Sequence, residues 1–170
     1  MLSMKTMIFG AVLVVASLNS QARIGETEAE SEKRYGKPVN EAMSKMSPIL
    51  SGAVNHIYVY QGWNIKTAFV NGKAVRMHYF KHTVPMTIKD DEAKAVLEGE
   101  ANGGQWEVKK NVNWNNLVVS KAWANTNGAV AYVEGLGGML MVVDTPAAVA
   151  FAQAKKAEDE QKRKANIPMF

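Results

Sequence analysis

Residues 54–80 read VNHIYVY-QG-WNIKTAFV-NG-KAVRMHYF. Three runs, Val54 to Tyr60, Trp63 to Val70 and Lys73 to Phe80, are rich in β-branched and aromatic residues, and two-residue turns separate them. Gln61-Gly62 and Asn71-Gly72 suit tight hairpins, because glycine and asparagine tolerate the positive φ that such turns need. The stretch therefore predicts an antiparallel three-stranded meander. Continuing the two-residue register pairs Tyr60 with Trp63, Tyr58 with Ile65, Ile65 with His78 and Trp63 with Phe80. One face then carries His56, Tyr58, Tyr60, Trp63, Ile65, Phe69, Arg76, His78 and Phe80. The other carries Ile57, Val59, Ala68, Val70, Val75, Met77 and Tyr79, with Asn64 and Lys66 near one end.

Upstream, Thr27 with Glu30 makes a capping box, Ile24 is placed to staple the helix start, and Gly36-Lys37-Pro38 closes its end. A helix over Glu28 to Tyr35 follows, then a loop with a helical turn around Glu41 to Lys45. Downstream, a second helix is expected from Thr87 to about Glu100, closed by Asn102-Gly103-Gly104. Trp106 opens an extended segment. Trp114 to Asn125 and Ala129 to Glu134 read as a hairpin turned at Thr126-Asn127-Gly128, with Trp123 facing Tyr132 and Lys121 facing Glu134. Met139 to Val143 adds a strand, and Thr145-Pro146 starts a C-terminal helix. The predicted class is α+β, an antiparallel sheet of meander hairpins packed by N-terminal, middle and C-terminal helices. Trp63-Asn64 and Trp114-Asn115 each open a strand leading to an Asn-Gly turn, a hint of a repeated helix-plus-meander unit.

The first 22 residues, MLSMKTMIFGAVLVVASLNSQA, combine Lys5, an apolar run from Met7 to Leu18 and Ser20-Gln21-Ala22. That is the layout of a secretory signal peptide, too short in its apolar run to span a bilayer comfortably. The expected divisions are residues 1–22 as the signal peptide, 23–157 as one α+β domain and 158–170 as a charged, frayed tail. Periplasm or extracellular medium is the expected address, with no stable membrane anchor after cleavage. The chain has no cysteine, so its fold rests on burial rather than disulfides. Thiol catalysis, cysteine-ligated zinc and a lipidated cysteine are excluded. The net charge of +4 includes Lys5, and the basic residues of the tail alternate with Glu158, Asp159 and Glu160. A solvated helix accounts for that better than a nucleic-acid patch.

Gly25-Glu26-Thr27 with Arg34-Tyr35-Gly36-Lys37-Pro38, then Ile65-x-Thr67-x-Phe69-x-Asn71-Gly72-Lys73 and Trp106 after Gly103-Gly104, resemble small exported bacterial proteins of the β-lactamase-inhibitor-like fold. That fold is shared with small outer-membrane lipoproteins that assist barrel assembly. The resemblance spans residues 24–107 and implies an exported α+β domain with no catalytic residues to transfer. The missing lipid-acceptor cysteine departs from the lipoproteins.

Chemistry is sparsely signposted. His56 and His78 lie two strands apart, about 10 Å laterally, too far to share a zinc. On a strand, His78 and His82 are about 13 Å apart. No Gly-x-Ser-x-Gly elbow occurs, and Asp90-Asp91-Glu92 sits where negative charge favours a helix start. No metal, cofactor or catalytic residue is expected. Tyr58, Tyr60, Trp63, Arg76 and His78 form the candidate partner-binding group. They read as a concave aromatic surface for a protein partner or a second copy, or as core beneath the first helix with its polar groups at the rim. The rival functions are carriage of an apolar small molecule, in a cavity between the sheet and the first or last helix, and hydrolysis at a scattered site using His56 or His78.

Overall fold

The computed structural model describes residues 23–39, 41–109, 119–135 and 137–166. The elements run α1 (Glu28–Tyr35), α2 (Glu41–Met46), β1 (Val54–Tyr60), β2 (Trp63–Val70), β3 (Lys73–Lys81), α3 (Asp90–Gly99), β4 (Trp106–Lys109), β5 (Val119–Asn125), β6 (Val130–Glu134), β7 (Leu140–Asp144) and α4 (Pro146–Ala165). The strands form one antiparallel sheet in the order β1-β2-β3-β7-β6-β5-β4. Two meanders meet at the β3–β7 pair. The class is α+β, as the sequence predicts. Whether the sequence itself repeats turns on Trp114-Asn115, which lie outside the described residues, as do the apolar start of the chain and its last four residues.

The helices begin and end where local chemistry satisfies their free backbone groups. Thr27 Oγ1 accepts from Glu30 N at 3.2 Å and Glu30 returns an acceptor to Thr27 N at 2.7 Å. Gly36, at φ 86°, closes α1. The middle helix starts at Asp90, not Thr87: its N-cap Lys89 is extended (φ −79°, ψ 165°), and the Ile88 N–H before it donates to Gly138 O at 3.0 Å. Glu92 then caps Lys89 N at 2.7 Å. The charged segment expected to fray remains helical. α4 continues to Ala165, supported by i,i+4 pairs such as Lys155–Asp159 at 2.7 Å.

Two registers differ from expectation, each for an identifiable reason. Asn71 and Gly72 do adopt positive φ (51° and 72°), pairing Val70 with Lys73 and Phe69 with Ala74. Beyond them a β-bulge makes Ala68 pair with Arg76, leaving Val75 as an extra residue. One inserted residue exchanges the faces of everything that follows. Met77 and Tyr79 thus join Tyr58 and Ile65, while Arg76, His78 and Phe80 turn to the opposite side. In the second hairpin the loop is three residues long, closed by Asn125 N to Ala129 O at 2.8 Å with Gly128 at φ 89°. Trp123 therefore faces Ala131 and Lys121 faces Val133. Lys121 pairs instead with Asp90 of α3.

The larger core lies between the sheet and α1 plus α3, around Tyr35, Tyr58, Ile65, Met77, Tyr79, Leu97, Met141 and Val143. On the second face, Ala148, Phe151 and Ala152 of α4 pack with Leu50, Ala68, Val70 and Val75. Tyr132, Val142 and Ala122 form a separate cluster on that face, to which no helix contributes among the described residues. Gly104 is fixed by close approach. A Cβ there would lie 1.8 Å from Asn125 Oδ1 and 2.8 Å from its Cγ. Asn125 joins the helix-end loop to the turn by donating to Ala101 O at 3.2 Å and accepting from Asn127 N at 3.1 Å. Gly104→Ala is expected to break that joint and cost about 2 kcal/mol in urea denaturation.

Candidate functional site

The bulge separates the five residues that the sequence groups together. Tyr58, Tyr60 and Trp63 lie on the face beneath α1 and α3. Tyr58 is fully buried, its ring 5.3 Å from that of Tyr35, which also stands edge-on to Tyr60 at 5.5 Å. Burial pushes the Tyr58 hydroxyl above the ordinary tyrosine range, with Glu32 and Glu28 adding to the shift. Trp63 is partly buried against the same core, with Lys81 Nζ 5.9 Å from its ring centre. Lys81 is in turn held by both carboxylate oxygens of Glu92 at 3.0 Å. Tyr58 is part of the core, while Tyr60 and Trp63 are partly exposed and pack against it.

Arg76 and His78 lie on the second face. Asp144, directly opposite in the β3–β7 register, takes Arg76 Nε at 2.5 Å and Nη2 at 2.7 Å, and Ile49 O accepts from Nη1 at 3.0 Å. Burial opposes the guanidinium charge, but Asp144 outweighs it and raises the pKa overall. The arginine is thus engaged within the fold. His78 is a different case. It stands between Lys66 and Val142 in the ladder, is partly exposed, and makes no hydrogen bond among the described residues. Burial lowers its pKa to about 4, with Arg76 and Lys66 contributing, so the ring is neutral at pH 7.

Around His78 is a group that the sequence did not assemble. Lys66 lies 5.9 Å from the Phe80 ring centre and has no carboxylate partner among the described residues. Leu140 pairs with Glu134, and Tyr132 with Val142. One oxygen of Glu134 is buried without a hydrogen bond among the described residues, and burial raises that carboxyl's pKa while Arg76 partly offsets it. Tyr132 is raised to about 12 by burial, with Asp144 and Glu134 adding. The alternation Tyr132-x-Glu134 and Leu140-x-Val142-x-Asp144 was the available signal. It marks one face of each strand, but only the observed register brings those faces beside His78. The result is a half-exposed apolar patch of Phe80 and Leu140 carrying one cation and one partly buried carboxylate.

Two further concavities flank the sheet. His56 is on the α1 side, its Nε2 3.0 Å from Glu28, beside a groove of about 530 Å³ between α2 and β1 that Ser44 and Ser51 also line. A larger groove, about 960 Å³, lies between α3 and the β4–β5 edge. It is under the middle helix, not the first or last as the carrier reading expected. Among the described residues no three His, Asp or Glu side chains converge to hold a metal. Within them no helix is long and apolar enough to cross a membrane.

No family model matches this chain, and no curated protein sequence resembles it. Among solved structures it is similar to a cysteine-rich secretory protein from Staphylococcus aureus subsp. aureus Mu50, with 11% identity and a TM-score of 0.47. The match covers 75% of this chain and 46% of that one, so the chain spans about half the length of the protein it matches. The likeness is too slight to bear on fold or function.

Proposed function

We propose that this chain is an exported, non-catalytic binding module. Its contact surface is the part of the second sheet face that α4 leaves bare, and its partner is a polypeptide, either another protein or a second copy. The observation that carries this reading is the patch around His78. Phe80 and Leu140 are half-exposed there, and among the described residues Lys66 lacks a carboxylate and one oxygen of Glu134 is buried without a donor. An apolar centre with unpaired polar groups beside it is what an interface completes, since a partner supplies both the burial and the missing hydrogen bonds. The signal-like first 22 residues and the resemblance to exported β-lactamase-inhibitor-like domains support the address.

The test is site-specific photo-crosslinking in cells expressing the full chain, with p-benzoylphenylalanine at position 80, 140 or 156. Positions 80 and 140 are expected to give a discrete adduct, whose mass separates self-association from a second protein. Lys156, exposed on α4, is expected to give none. Equal yields at all three positions, or no adduct at 80 and 140, sink the proposal.

A further inference from the structure

The groove between α3 and the β4–β5 edge is a binding site of another kind. Its volume, about 960 Å³, falls within the range of small-molecule sites. The apolar part of its lining is Leu97 on the helix and Trp106, Val108 and Trp123 on the strands. Trp123 stands directly across from Val108 in the ladder. Val108 is 70% exposed, an aliphatic side chain left in water at the rim.

The charges around the groove cancel locally. Lys121 pairs with Asp90, Lys94 lies 3.8 Å from Glu98, and Lys109 lies 3.7 Å from Glu107. Each cation has its own carboxylate, so the rim offers no excess charge to an ion. One polar group is left over: the indole Nε1–H of Trp106 is buried and has no hydrogen-bond acceptor among the described residues. A buried donor without a partner is costly, and an acceptor oxygen brought by a ligand relieves that cost. Two indole rings favour a flat aromatic body.

From this the geometry points to a site for a neutral, flat, apolar molecule bearing a carbonyl oxygen, which accepts from Trp106 Nε1 while its rings lie against Trp123 and Leu97. The site is on the opposite sheet face from the proposed protein-contact patch, so either can fail without the other.

The probe is 6-propionyl-2-(dimethylamino)naphthalene, a neutral naphthyl ketone, compared with 2-(dimethylamino)naphthalene, which lacks the carbonyl. Protein recovered from expression of the full chain is titrated with each, following blue-shifted emission and energy transfer from tryptophan. The ketone is expected to bind about tenfold more tightly than its carbonyl-free analogue, the gain of one hydrogen bond to a buried donor. Trp106→Phe should abolish that preference, so that the variant binds the two probes equally. Val108→Asp, at a position already in water, should weaken both probes by about tenfold or more. Absence of binding by either probe overturns the inference, as does equal affinity of the unaltered protein for the two. Indifference of both probes to Val108→Asp also overturns it, and that variant answers the question even if Trp106→Phe does not fold.

Discussion

Asp144→Ala is expected to lower the unfolding free energy by about 3 kcal/mol, measured by urea denaturation at pH 7. Asp144 is 2% exposed and holds Arg76 through two parallel hydrogen bonds. Its removal leaves a guanidinium in the sheet with Ile49 O as its one hydrogen-bond acceptor among the described residues, and a charge stripped of its buried partner costs more than the pair contributes. Replacing both residues, as Arg76→Leu with Asp144→Leu, should recover most of the loss, because an apolar pair of similar bulk carries no desolvation penalty. A double variant as unstable as the single one would show that the ion pair itself, rather than the avoided orphan charge, stabilises the β3–β7 seam.

The second large effect concerns pH. Glu100 is buried at the end of α3, where Tyr79 Oη and Ile24 N each lie 2.5 Å from one of its carboxylate oxygens. Burial raises its pKa to about 8, partly offset by the Tyr79 and Ile24 hydrogen bonds. The protonated form can be satisfied in place: the acid donates to Tyr79 Oη, whose own hydrogen turns to Met77 Sδ at 3.3 Å. The group's ordinary value, 4.5, applies to the unfolded chain. Between pH 4.5 and 8 the folded protein therefore retains a proton that the unfolded chain releases. The contribution of Glu100 is fully present below pH 4.5 and declines as pH rises, by about 1.4 kcal/mol per unit, until pH 8. Glu100→Gln keeps an acceptor for Ile24 and a donor for Tyr79, and should remove that slope. The difference in urea stability between the two proteins is expected to shift by several kcal/mol in the variant's favour from pH 5 to pH 8. Parallel pH profiles would mean that Glu100 is ionised in the fold throughout.

Much of the architecture was legible from short-range chemistry. The Thr27–Glu30 box, the Asn71-Gly72 turn and Thr145-Pro146 are local signals, and α1, the first meander and the start of α4 follow from them. The candidate surface was not legible, because it depends on whether Val75 pairs or bulges. The alternation of Arg76, Met77, His78 and Tyr79 is the same either way. What selects the bulge is non-local: Met77 and Tyr79 reach the core under α3, Arg76 reaches Asp144, and Val75 fills the space by Leu50 and Ala148. Likewise, a three-residue loop and a two-residue turn share the letters Thr126-Asn127-Gly128, so the facing of Trp123 could not be read from them. The expected strand from Trp114 to Val118 lies outside the described residues.

The far end of α4 has a practical consequence. From Lys156 to Asn166 every residue faces water, and at about 1.5 Å per residue the helix end at Ala165 lies about 15 Å beyond Lys155. A dye, affinity handle or surface tether attached near Ala165 would sit on the exposed part of α4, where no side chain joins either core. The molecule carries its own stiff stalk for immobilisation.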